Sequence, residues 1–235
     1  MKSLVLFSGT GSVEKSLRKV GYTDNRGVDI DPTFQPHYCV DILEWDYRSA
    51  LANWIPDYIH SSPVCCEFSK LKNINETSRN LSLGYSLVDK TLEIINHVKT
   101  LNPNLKYTIE NPSTSFIKQR LSNICYKNTS YCMYDYPYQK NTTFFFEGFN
   151  LNLKPRCKKD CKSCLSNNGG HKVRLGLSHL RDVGTYKRTN VGQIGDTMYF
   201  NSLREEFPEL RNFTNQYFRY RIPEELCDDI IISLS

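Results

Sequence analysis

Apolar and polar positions run along the first half of the chain in two rhythms. An apolar run predicts a buried strand over residues 3–7 (SLVLF), and further strands are read over 25–31 (NRGVDID), 57–62 (DYIHSS) and 106–111 (KYTIEN), with a shorter extended piece near 37–42. Between them the spacing turns helical. Val13, Leu17 and Val20 share one face of a helix that Ser12 can cap and Gly21 can close. Leu87, Thr91, Ile94, Ile95 and Val98 mark a longer helix within residues 80–100. Strands alternating with helices predict an α/β, Rossmann-like domain, a mostly parallel sheet covered on both faces.

Ligands of such sheets gather outside the carboxyl ends of the strands. Polar clusters stand at four of those ends: residues 8–12, 29–31, 63–69 and 110–112. After about residue 140 the texture changes. Residues 141–153 (NTTFFFEGFNLNL) read as a β-hairpin, and 155–174 are rich in Lys, Arg, Cys, Asn and Gly with no apolar period. The expected organisation is a main domain over 1–140, a small irregular lobe over 141–219, and a last helix within 220–235 that completes the main domain. In that helix Pro223 suits the first turn, and Leu226, Ile230 and Ile231 face a core.

Composition narrows the class without deciding it. Of 235 residues 39% are hydrophobic, enough for an ordinary core, and the net charge of +5 is compatible with a polyanionic partner. The apolar run at the N-terminus is too short for a signal peptide, and no run approaches the ~20 residues that span a bilayer. The expectation is a soluble, intracellular monomer with no membrane partner. Nine cysteines, an odd number with three close together, point to thiols and metal ligands rather than a disulfide framework.

The candidate chemistry sits at the strand ends. FSGTGS, residues 7–12, is a glycine-bearing loop between a strand and a helix, able to bring backbone and a helix N-terminus close to an anionic group. Asp29, about 20 residues on, can accept both hydroxyls of a ribose. SPVCCEFS, residues 62–69, leaves three readings open for its paired thiols: core, metal ligand or nucleophile. Glu110, in IENP, is either a solvated loop acid or a proton donor beside that loop.

In this order, LFSGTGS, VDID, SPVCCEFS, IENP and RYRIPEEL resemble the cytosine-C5 DNA methyltransferase family, and YCMYDYPYQKNT looks like a segment of its compact viral and phage members. The resemblance implies S-adenosylmethionine as cofactor. Phe7, Gly9 and Gly11 would line its site together with Ile30 and Pro63, Asp29 would hold the ribose, and Asp41 with Ile42 would meet the adenine. It implies Cys65 as the nucleophile, with Cys66 a bystander, and Glu110 as the acid that activates the ring. The implied partner is DNA, with the target base flipped out of its stack; cytosine in RNA, or a non-catalytic nucleic-acid-binding role, are the alternatives. Val64 stands where the family has proline, and Gln139 and Thr143 stand where arginines are expected.

Late in the chain Cys157, Cys161, Cys164 and His171 are spaced C-x3-C-x2-C-x6-H, four soft donors within a short reach and enough for a tetrahedral zinc. Lys154, Arg156, Lys158, Lys159, Lys162, Lys172 and Arg174 surround them, which suits phosphate contact.

Overall fold

The computed structural model describes residues 1–64, 80–136, 139–162, 164, 171 and 221–234. Seven strands form one sheet: β1 (Lys2–Leu6), β2 (Asp24–Asp29), β3 (Tyr38–Cys39), β4 (Tyr58–Ser61), β5 (Lys106–Pro112), β6 (Tyr126–Ser130) and β7 (Asn141–Glu147). Their spatial order is β3-β2-β1-β4-β5-β7-β6. The first five are parallel, β7 runs antiparallel to β5, and β6 antiparallel to β7. The winding therefore reverses between β1 and β4, which opens a crevice at the carboxyl ends of those two strands.

Side-chain alternation divides the core in two. Val5, Tyr58, Phe144 and Phe146 meet α1 (Ser12–Lys19) and the C-terminal helix α4 (Glu224–Ile232), through Val13, Leu17, Leu226, Ile230 and Ile231. On the opposite face Leu4, Leu6, Ile59, Ile109 and Phe145 meet α2 (Tyr47–Leu51) and α3 (Leu81–Leu101), through Leu51, Leu87, Ile94, Ile95 and Val98. All four residues of β4 are buried, polar His60 and Ser61 included, as in a strand covered on both sides. Lys15 and Lys19 reach Glu224 at 2.9 and 2.7 Å, fastening α1 to α4 at the surface.

Three local expectations need correction. The cap of α1 is Gly11, in the left-handed region at φ 69°, with no side-chain bond. Ser12 is instead the first helical residue, its hydroxyl 2.7 Å from that of Thr10. Val20 is 38% exposed, because it is the last residue before the chain turns at Gly21. There the Tyr22 amide bonds the Leu17 carbonyl and the Gly21 amide that of Arg18, the two bonds of a Schellman ending. The third correction is the hairpin expected over 141–153. Residues 141–147 are β7, an inner strand of the main sheet, so the expected start of the lobe at 141 falls on sheet. Five consecutive buried residues, Thr142 to Phe146, need cover on both faces, which a hairpin in a small lobe could not provide.

Candidate functional site

The loop after β1 is built from left-handed backbone. Phe7, Gly9 and Gly11 have φ of 58, 47 and 69°, and Phe7, being no glycine, carries strain there. The Ser8 amide bonds the Val28 carbonyl and the Gly11 amide bonds that of Ser8, which curls the loop over the end of β2. The Gly9 amide then donates to Asp29 Oδ2 at 2.8 Å, and the Asp31 amide donates to Asp29 Oδ1 at 3.0 Å. A carboxylate offers about four acceptor positions, so about two on Asp29 are left for a ligand. Ile30 is 66% exposed beside it, an apolar surface next to that acceptor. Asp41 Oδ1 caps a turn by accepting from the Leu43 amide at 2.9 Å, and the Ile42 side chain points into the core.

Under this loop lies Glu14, which no motif had marked. Its carboxyl is buried between α1 and Gly27, and Oε2 finds no hydrogen-bond partner. Burial pushes its pKa up to about 7; Arg18 opposes the rise and Asp29 adds to it.

The second half of the crevice joins β4 and β5. Register sets Ser61 against Ile109, which brings Pro63, two residues beyond the end of β4, level with Asn111 of β5. Asn111 Nδ2 donates to the Pro63 carbonyl at 3.0 Å, a buried bond. Glu110 is 5% exposed, and the Lys140 ammonium stands 3.5 Å from its Oε1, without hydrogen-bond geometry. Lys140 also donates to the Tyr131 hydroxyl at 3.1 Å. His60, at the heart of β4, bridges the hydroxyls of Thr108 and Ser62 at 2.8 and 3.0 Å. Burial pulls its pKa down to about 3, so it is neutral at all ordinary pH values. Cys65 and Cys66 lie outside the described residues, as do Lys172 and Arg174. Val64, the last described residue before them, is 44% exposed.

Thr143 is fully buried on β7. Its hydroxyl donates to Asn128 Oδ1 at 2.6 Å and lies 3.3 Å from the Ser113 hydroxyl.

The third group of residues surrounds His171. Its Nε2 is 3.4 Å from Cys157 Sγ, 3.3 Å from Cys161 Sγ and 3.6 Å from Cys164 Sγ. Cys132, which no spacing rule singled out because it lies 25 residues before Cys157, joins them. The ligand atoms of Cys132, Cys157, Cys161 and His171 all lie within 4.8 Å of one another, a Cys3His group that could hold zinc. Of the basic residues around it, Lys154 is paired with Glu225 and Lys162 with Asp135, while Arg156, Lys158 and Lys159 are exposed.

The chain is 33% identical over 162 residues to the "Probable DNA (cytosine-5)-methyltransferase" of Frog virus 3 (isolate Goorha), across 63% of this chain and 72% of that protein. No family model matches it. Among solved structures it is similar to the Dnmt2 methyltransferase of S. pombe (17% identity, TM-score 0.44, 65% of this chain and 52% of that one). It is also similar to the methyltransferase EhMeth of Entamoeba histolytica (14% identity, TM-score 0.43, 66% and 56%). The chain spans about half the length of these solved proteins.

Proposed function

We propose that this chain, which belongs to the DNA (cytosine-5)-methyltransferase family, transfers a methyl group from S-adenosylmethionine to C5 of cytosine in DNA. The observation that carries the reading is the convergence of four strand ends on one edge of the sheet. The left-handed glycine loop follows β1, Asp29 ends β2, Pro63 follows β4, and Glu110 with Asn111 ends β5.

The donor-side residues fit S-adenosylmethionine. Asp29 retains acceptor capacity for two ribose hydroxyls, exposed Ile30 can pack against the base, and the N-terminus of α1 suits the carboxylate. Phe7, Gly9, Gly11, Asp41, Ile42 and Pro63 complete that assignment. The donor supplies an electrophilic methyl group; everything else falls to the chain.

C5 of cytosine is too weak a nucleophile to take the methyl unaided. The Cys65 thiolate adds to C6, and the C4–C5–C6 portion becomes enamine-like, so C5 attacks the methyl carbon as its bond to sulfur breaks. Glu110 hydrogen-bonds or protonates ring N3 as charge develops there. A base then removes the C5 proton, and the C6–S bond breaks to return the thiolate. The buried setting of Glu110 and the Asn111–Pro63 bond, which ties the β4 loop to β5, support these roles. The lobe between β7 and α4, with its exposed Arg156, Lys158 and Lys159, takes the role of target recognition through phosphate contacts.

DNA carrying 5-fluorocytosine tests the mechanism, because fluorine at C5 cannot leave as a proton does. The expected result is a covalent adduct that disappears in Cys65→Ala and persists in Cys66→Ala. No adduct with any DNA in the presence of donor would sink the reading. Supplying DNA and RNA in competition with labelled donor separates a DNA substrate from cytosine in RNA.

A further inference from the structure

We propose that Cys132, Cys157, Cys161 and His171 form a tetrahedral site for zinc, and that the ion fastens the basic lobe to the sheet domain through Cys132. A finger closed within the lobe would not need a ligand from the sheet. Here one is supplied by the turn Tyr131–Tyr134 that follows β6.

Distances carry the first part. With Zn–S near 2.3 Å and Zn–N near 2.0 Å, the edges of a tetrahedron come to about 3.5–3.8 Å. His171 Nε2 lies 3.4 and 3.3 Å from two of the sulfurs, and all four donor atoms fall within 4.8 Å. These spacings are far beyond the ~2.05 Å of a disulfide, and each of the three cysteines is free. Packing of thiols as small apolar groups gives no reason for several of them to converge on one imidazole nitrogen. Three thiols and one imidazole are soft donors, suited to zinc and its cobalt or cadmium substitutes and unsuited to magnesium or calcium. Binding displaces three thiol protons to solvent, with no change of oxidation state.

The scaffold carries the second part. Ser130 Oγ accepts from the Cys157 amide at 3.0 Å and donates to Asn141 Oδ1 at 2.6 Å, which locks Cys157 to β6 and β7. Cys132 is buried in the core beside Tyr131. Two donors are thus placed by the sheet domain before any metal arrives. Lys159 turns the chain at φ 74°, and its amide donates to Cys157 Sγ at 3.3 Å, an outer-shell bond that orients a thiolate. The turn delivers Cys161, and a bridge between Cys164 and His171 presents the imidazole. Cys164 Sγ, 3.5 Å from Cys161 Sγ, stands next to the set as a fifth donor for a four-coordinate ion.

The test measures metal, not methyl transfer, so the two proposals fail separately: a zinc-loaded but inactive protein would count only against the methyltransferase reading. The full chain, purified without chelator, is assayed for metal, then exchanged with cobalt to read thiolate-to-metal absorption. About one zinc per chain is expected. Cys132→Ser should lose it, and Cys164→Ser should keep it. A folded wild-type protein that binds no zinc overturns the proposal, as does a Cys132→Ser protein that keeps it. If Cys132→Ser fails to fold, Cys132→His decides. Cobalt lost, or retained with thiolate absorption lowered by about a third, supports the site, and cobalt retained with unchanged absorption overturns it.

Discussion

Asn111 and Pro63 belong to neighbouring parallel strands, and a 3.0 Å hydrogen bond from the Asn111 amide to the Pro63 carbonyl latches the two strand ends together. The loop that begins at Pro63 therefore departs from a point held by the residue next to Glu110.

Replacing Asn111 with Ala leaves that buried carbonyl without its partner. Stability should fall by about 1–3 kcal/mol, read from the urea midpoint. Methyl transfer should fall further, by roughly 10- to 100-fold, because the segment after β4 loses its anchor, and donor binding by calorimetry should weaken through Pro63.

Glu110→Gln keeps the shape of a buried side chain and removes its ability to give up a proton. Single-turnover methyl transfer should drop by roughly 100- to 10,000-fold, with the thermal midpoint nearly unmoved. An active Glu110→Gln protein would remove Glu110 from the chemistry.

Gly27 has an unobtrusive place in the sequence and no room in the fold. A Cβ there would sit 2.8 Å from Ser8 Oγ, 2.9 Å from Ser8 Cβ and 2.9 Å from Glu14 Oε1. Gly27→Ala must displace the glycine loop, so it should cost about 1–3 kcal/mol and weaken donor binding in the same titration.

Glu14 should give the protein a stability that declines with rising pH. Its ordinary pKa of 4.5 in the unfolded chain rises to about 7 in the fold, so between those values the folded state holds a proton that the unfolded state has lost. Stability from this group is intact below pH 4.5 and falls towards pH 7 by up to about 3 kcal/mol. In Glu14→Gln that fall should vanish, leaving the variant close to wild type at pH 5 and more stable at pH 8 by thermal denaturation.

Arg156 and Lys158 are exposed on the segment that leads into the thiol cluster. Changing both to Gln should weaken duplex binding to a similar extent whatever the sequence. The slope of log affinity against log salt should become shallower by about 2.

Much of the sheet domain was legible because its signals are local. A strand buried on both faces is rich in apolar residues, and a helix against a sheet repeats its apolar residues at 3.6; β1 and α3 carry these signals, and β4 and β5, with polar residues buried among their apolar ones, also fall close to where the pattern puts them. The glycine loop and Asp29 were legible too, since left-handed backbone and a strand-end acid leave a trace in residue type. What the sequence alone could not decide was adjacency between segments far apart in the chain. NTTFFFE reads as a hairpin until β5 and β6 are seen on its two sides, because strand pairing depends on partners the segment does not contain. The same holds for Lys140 beside Glu110, for Glu14 beneath Gly27, and for Cys132 among the late thiols. Each is a contact made by folding distant residues into one layer, and only the tertiary structure sets its distance.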